Sequence, residues 1–197
     1  MHELIKAGTS HIDDLVELIC TTGPYRTAVT NNQLGLSYRD FLVRFLVMPR
    51  LDHAYVLVDR SSDDRVIGAL ICAPLHDLAP TDWSQCSSEN IEALHAPFKT
   101  LHIPECFYID VLAVVPDMQG RGLGKLLFSA AESMANNLGY KDNLSLVVCA
   151  NDVKAIRLYY TMEMIVSDSV QVGFSQFPPF LLMRKASHYL SYEKLIM

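Results

Sequence analysis

The stretch that most narrows what this chain can become is "QGRGLGK", residues 119–125, with glycine at positions 120, 122 and 124. Glycine loses more backbone freedom on folding than any other residue, so three in so short a stretch must answer some other requirement. The stretch stands directly after the apolar run "CFYIDVLAVVPDM". After it, Leu123, Leu126, Leu127, Ala130, Ala131 and Met134 recur at helical spacing, and Gly139 is a natural terminator. The spacing predicts a strand, a glycine turn and a helix from about Gly122 to Leu138. A helix start carries unpaired N–H groups and the positive end of the helix dipole, which suits an anion. Arg121 and Lys125 add positive charge, and no acidic residue lies between Asp117 and Glu132. In a chain of net charge −6, that local balance points to a phosphate-bearing ligand. The plainer alternative is a turn that only packs helix on strand.

Two familiar phosphate loops do not fit. The G-x-x-x-x-G-K-[ST] loop requires glycine at 119, which is Gln, and Ser or Thr at 126, which is Leu. The dinucleotide fingerprint G-x-G-x-x-G begun at Gly120 requires glycine at 125, which is Lys; begun at Gly122 it meets Leu127.

Around this core the chain reads as alternating elements. "HELIKA" alternates like a strand, and "TSHIDDLVELIC" reads as a helix with Ser10 and Asp13 as its capping box. A polar stretch, "TTGPYRTAVTNNQLG", leads to a helix over "SYRDFLVRFLVM" that Pro49 should stop. "AYVLVD" and "RVIGALICA" form a hairpin across "RSSDD", and residues 76–104 form an insertion with Trp83 and a short helix near "SENIEALHAPF". "LSLVVCA" is a buried strand. "NDVKAIRLYYTM" is a helix with Asn151 or Asp152 at its N-cap, and "IVSDSVQVGF" with "FLLMRK" closes a last hairpin. The order is β-α-α-β-β-β-α-β-α-β-β, a mixed α/β fold. One domain over 1–185, with 76–104 as a variable insertion, and a tail over 186–197 are expected.

Composition bounds the partners. The negative net charge argues against nucleic acid, and the longest apolar stretch, about ten residues, falls short of the roughly 20 that span a bilayer. Neither nucleic acid nor membrane is expected as a partner. The five cysteines are irregularly spaced without C-x-x-C, and no histidines stand at ligand spacing, so no metal is expected. A reducing, cytoplasmic setting follows from that cysteine usage.

The spacing that does fit the loop is Q-x-x-G-x-G, in "LAVVPDMQGRGLG". With it, the chain resembles the GNAT superfamily of N-acetyltransferases. A second motif agrees: "NDVKAIRLYYTMEM" is similar to that family's N-x-x-x-A-x-x-L-Y-x-x-x-G-F, with Asn151, Ala155, Leu158 and Tyr159 in place and Glu163–Met164 where the family has Gly-Phe. The resemblance covers about 105–185 well, is generic over 1–74 and is absent over the insertion. It implies a mostly antiparallel central sheet flanked by helices, acetyl-CoA as co-substrate, and direct transfer of acetyl to a primary amine. It also implies that Gln119, Gly120, Arg121, Gly122, Leu123, Gly124 and Lys125 hold the diphosphate. Leu112, Ala113 and Val114 would offer main-chain groups to the pantetheine arm where the strand bulges and splays, and Asn151 and Ala155 would border the coenzyme.

Acyl transfer to an amine sets three problems: negative charge grows on the carbonyl, the leaving thiolate needs a proton, and the amine must lose one. Asn151, Ala155 and Tyr159 are four apart and share a helix face, so Tyr159 is the candidate to protonate the sulfur; it could instead be a core aromatic. Asp110 is the carboxylate inside "FYIDVLAVV", nominally on one face with Tyr108 and Leu112. It could relay the amine proton, bind the acceptor's ammonium, or be structural. Glu105, His76 or water are the reserve bases. The expected acceptor is a small-molecule amine in preference to a protein amine, and the tail could brace a homodimer. A non-catalytic acyl-CoA-binding module is the rival reading.

Overall fold

The computed structural model describes residues 1–22, 37–78, 100–101, 104–171 and 178–185. The insertion's Trp83 and its expected helix, most of the polar stretch before residue 37, and the tail 186–197 lie outside these.

The described strands are β1 (His2–Lys6), β2 (Ala54–Asp59), β3 (Arg65–Pro74), β4 (Phe107–Val114), β5 (Leu144–Cys149), β6 (Met164–Val170) and β7 (Phe180–Lys185). They form one sheet in the order β1-β2-β3-β4-β5-β7-β6. Every neighbouring pair is antiparallel except β4 and β5, which run parallel. Helices α1 (Ile12–Thr22), α2 (Tyr38–Leu42), α3 (Leu123–Asn137) and α4 (Val153–Thr161) complete the expected order. No described helix is long and apolar enough to cross a membrane.

The sheet is buried on both faces, which is why β3 and β5 read as nearly continuous apolar runs. On one face Leu15, Val16 and Ile19 of α1 and Phe41 and Leu42 of α2 pack on Val56, Ile71, Val111 and Ala113. On the other, Leu127, Phe128 and Ala131 of α3 and Tyr159 of α4 pack on Leu70, Ile109, Leu146 and Val148. Each fully buried Leu or Phe contributes about 1.5–3 kcal/mol.

Two local expectations are corrected and two are made definite. The start of α1 is not a Ser10–Asp13 box: a 3-10 turn covers Thr9–His11, and the Gly8 N–H donates to His11 Nδ1 at 3.1 Å. Pro49 does not end the second helical path. After α2, capped by Ser37 Oγ accepting from the Asp40 N–H at 3.1 Å, the chain widens into a π turn over Val43–Val47, then tightens into a 3-10 stretch over Met48–His53. Pro49 sits in the first turn of that stretch, where a missing N–H costs nothing. The N-cap of α4 is Asp152, whose Oδ1 accepts from the Ala155 N–H at 2.9 Å. The helix after the glycines begins at Leu123, with Gly122 as its cap.

Candidate active site

Two irregularities of β4 make the site. Its register against β3 slips between Ile71 and Cys72, which pair with Val111 and Ile109, so Asp110 is the extra residue of a β-bulge. Against β5, β4 pairs over Phe107, Tyr108 and Ile109 alone. Beyond Ile109 the two parallel strands part, and the main chain of Val111–Val114 loses its neighbour on that side. The bulge falls at Asp110, just before the segment 112–114 that was expected to offer main-chain groups. It also corrects the side-chain assignment: Val111 and Ala113 face α1 and α2, whereas Leu112 packs toward α3 and α4, away from Asp110's partner.

The parting opens a cleft of about 1070 Å³, lined from both faces of the sheet. The expected residues converge on it: Asp110, Leu112, Ala113, Val114, Gln119, Gly120, Gly122, Leu123, Gly124, Lys125, Asn151, Ala155 and Tyr159 all line it. Arg121 does not; its exposed side chain lies outside the lining.

At the cleft's rim the loop turns through left-handed backbone at Gly120 (φ 77°) and Gly122 (φ 82°). An L-residue pays roughly 1–2 kcal/mol there, which explains both glycines. A Cβ built at either would meet nothing within 4 Å, so open space lies before these residues. The bond that opens α3 runs from the Leu126 N–H to the Gly122 carbonyl at 3.1 Å, leaving the amides of 123–125 without an intrahelical acceptor. Gln119 is tied back: its Nε2 donates to the Val114 carbonyl at 3.0 Å, fastening the loop to the end of β4. Asp117, the carboxylate nearest the loop, is clamped by Arg65 through two bonds of 2.8 and 3.0 Å. Its negative charge is thereby matched. Lys125, and Lys154 and Arg157 of α4, also line the cleft. The two α4 cations were not singled out from sequence; their spacing of three on a helix places them on one side. A helix start with unbonded amides, preceded by open space at Gly120 and Gly122 and sharing its cleft with three cations, fits the diphosphate of a coenzyme.

On the far wall Tyr159 is buried, its ring 6.1 Å from that of Phe128. Burial, and then the nearby Asp152, push its hydroxyl well above the usual phenol range, so it stays protonated. Tyr160 is 54% exposed and absent from the lining. Cys149 lines the cleft, but burial raises its thiol, which blunts it as a nucleophile.

Asp110 forms an ion pair with Arg50, whose Nη1 also donates to the Phe45 carbonyl at 2.8 Å. Burial raises the Asp110 carboxyl, and Arg50 opposes that rise. Sequence reasoning missed Arg50, because its partner lies 60 residues away and the spacing carries no signal. The reserve bases Glu105 and His76 bond each other at 2.6 Å, and neither lines the cleft. Where Gly-Phe was expected, Glu163 adopts a left-handed φ of 61°, so the turn keeps the shape a glycine would give it. Among the described residues, no group of three His, Cys, Asp or Glu could hold a metal ion.

Comparison with known proteins agrees with this fold. Residues 32–163 match the Acetyltransferase (GNAT) family. Arylalkylamine N-acetyltransferase 2 from Aedes aegypti is similar in structure, with a TM-score of 0.65 at 16% identity, covering 94% of this chain and 98% of that one. NAA60 of Arabidopsis thaliana, solved with a bisubstrate analogue, has a TM-score of 0.60 at 16% identity, over 95% of this chain and 100% of that one. Ard1 from Thermoplasma volcanium has a TM-score of 0.60 at 13% identity, over 94% and 99%. No curated protein matches the sequence.

Proposed function

The chain belongs to the GNAT acetyltransferase family, and from that premise we propose that it moves the acetyl group of acetyl-CoA directly onto the primary amine of a small molecule. The parting of β4 from β5 carries this reading, because it leaves main chain open in the same cleft that the glycine loop and Tyr159 line. Acetyl-CoA supplies the acetyl group as an activated thioester.

The amides of 123–125, with Lys125, Lys154 and Arg157, hold the phosphates, while Arg65 keeps Asp117 from repelling them. Arg121 contributes from outside the cleft, as a charge at a distance. Main-chain groups of Leu112, Ala113 and Val114 orient the thioester arm, and Asn151 and Ala155 border it. Such preorganised donors contribute on the order of 3 kcal/mol to an acyl transfer. In net terms a C–N bond replaces a C–S bond; Tyr159 gives its proton to the sulfur and regains one from water.

Asp110 is engaged with Arg50, so it acts as a positioning carboxylate that fixes the bulge, and the acceptor sheds its proton to water. The free thiols of Cys72, Cys106 and Cys149 suit a reducing compartment such as the cytoplasm. Residues 1–185 act as one domain in this reading.

Free-thiol release from acetyl-CoA across an amine panel tests it. Release should depend on amine, and Tyr159→Phe should lower kcat about 100-fold while leaving the acetyl-CoA dissociation constant within about twofold. Tight acetyl-CoA binding with no amine turned over would favour the non-catalytic module; full activity of Tyr159→Phe would remove the phenol from the mechanism.

A further inference from the structure

The two halves of the cleft differ in chemistry. Its described lining carries four basic side chains, Arg50, Lys125, Lys154 and Arg157, against two acidic ones, Asp110 and Asp152. Three of the cations stand on α3 and α4, on the loop's side of the sheet. On the opposite face, under α1 and α2, the described charges in the lining are Arg50 and Asp110, and these are paired with each other. Asp152 is committed to capping α4. No described carboxylate is therefore left to receive a second positive charge on an acceptor.

What the described lining of that half offers is largely aromatic and aliphatic: core rings that reach the cleft with little exposure, a more open Tyr38, and the hydroxyls of Thr21 and Tyr38 as neutral polar groups. Tyr38, Phe41 and Phe45 line it in a run along α2 and the π turn, with Ile19 of α1 and Leu46 beside them. The rings are ordered: Tyr38 and Phe41 stack at 6.3 Å and 14°, and Phe41 and Phe45 lie tilted at 5.6 Å and 45°. The π turn over Val43–Val47 lies within this wall, a local widening that often accompanies functional positions. The wall is coupled to the reacting strand, because Arg50 holds the Phe45 carbonyl and the bulged Asp110 together.

From this wall and its cancelled charge we infer that the acceptor is a primary monoamine with an aromatic or bulky apolar body, entering from the α1–α2 face. The inference rests on the acetyl-transfer reading and narrows its acceptor. Polyamines carry extra ammonium groups that would face a described lining with more cations than carboxylates and no described carboxylate left uncommitted, a like-charge penalty in a partly desolvated site. Peptide N-termini carry backbone N–H and C=O groups that an apolar wall leaves unpaired. A flat monoamine body meets neither cost and stacks on the rings. Its single ammonium loses its proton before attack, which the positive surroundings of the cleft favour.

The test compares kcat/KM for 2-phenylethylamine, hexylamine, spermidine and a short peptide with a free N-terminus, by thiol release with saturating acetyl-CoA. The expected order is phenylethylamine first, hexylamine next, and spermidine and the peptide at least about tenfold lower. Tyr38→Ala, at the half-exposed end of the stack, should raise KM for phenylethylamine about three- to tenfold, with less change for hexylamine and none in the acetyl-CoA constant. Preference for spermidine or the peptide would overturn the monoamine assignment while leaving acetyl transfer standing. Release with none of the amines would overturn both. An equal effect of Tyr38→Ala on all acceptors would show that the ring braces the fold and does not meet the acceptor.

Discussion

Asp59 shows how one side chain can be set by its neighbours without any part in the chemistry. It accepts from the Ser61 hydroxyl at 2.6 Å and from the Ser61 N–H at 3.0 Å, and the chain's N-terminal amine lies 3.6 Å away. These bonds lower its carboxyl from 3.8 to about 2. The folded group binds protons less readily than the unfolded one, so its stabilisation is complete above pH 3.8 and is lost as pH falls through about 2. Acid unfolding followed by circular dichroism from pH 5 to 2 should therefore be shallower in Asp59→Asn than in the native chain. Superimposable profiles would remove Asp59 from the acid response. At this scale the sequence was legible where a residue type has one use in context. Tyr159 and Lys125 line the cleft, as helical spacing and charge implied. Asp110 was less legible, because its role depends on Arg50, and a contact across 60 residues leaves no mark in local spacing.

The element that matters most is the turn from β4 into α3. It holds two left-handed residues in succession around Arg121, and its shape is kept by the Gln119 bond to Val114 and the Arg65 clamp on Asp117. Gly122→Val should cost roughly 1–2 kcal/mol of backbone strain, or shift the turn to escape it. Either way the amides ahead of α3 move, and acetyl-CoA affinity measured by calorimetry should fall about tenfold or more. An unchanged constant would show that this turn does not hold the phosphates. The start and period of α3 were legible because glycine and leucine spacing state them directly. The bulge in β4 was implied by the resemblance alone, and the π turn at Val43–Val47 by nothing in the letters. Both are one-residue slips in a regular ladder, and they arise from packing between elements distant in sequence. Glu163 belongs with them: it stands where the family has glycine, and the backbone there is left-handed with a side chain that ordinarily avoids it.

Across the whole molecule, the order of strands and helices followed from the chain's periodicity, and the mostly antiparallel sheet followed from the family resemblance. The sheet's function is to be incomplete. A continuous β4–β5 ladder would leave no cleft, and the cores on the two faces would meet only through the strands. In the proposed function, their parting is the route by which a phosphate-bearing chain along α3 and α4 and an amine under α1 and α2 would reach one stretch of open backbone. Most of the polar stretch before α2 and most of the insertion 76–104 fall outside the described residues, and their side chains carried no pattern from which an acceptor could be read.

A crystal structure of the chain with coenzyme A tests this arrangement most directly. The account predicts the diphosphate within hydrogen-bonding reach of the amides at 123–125, the thiol arm running between β4 and β5, and the sulfur beside the Tyr159 hydroxyl. A diphosphate seated away from those amides, or a thiol arm that leaves the β4–β5 gap empty, would contradict it.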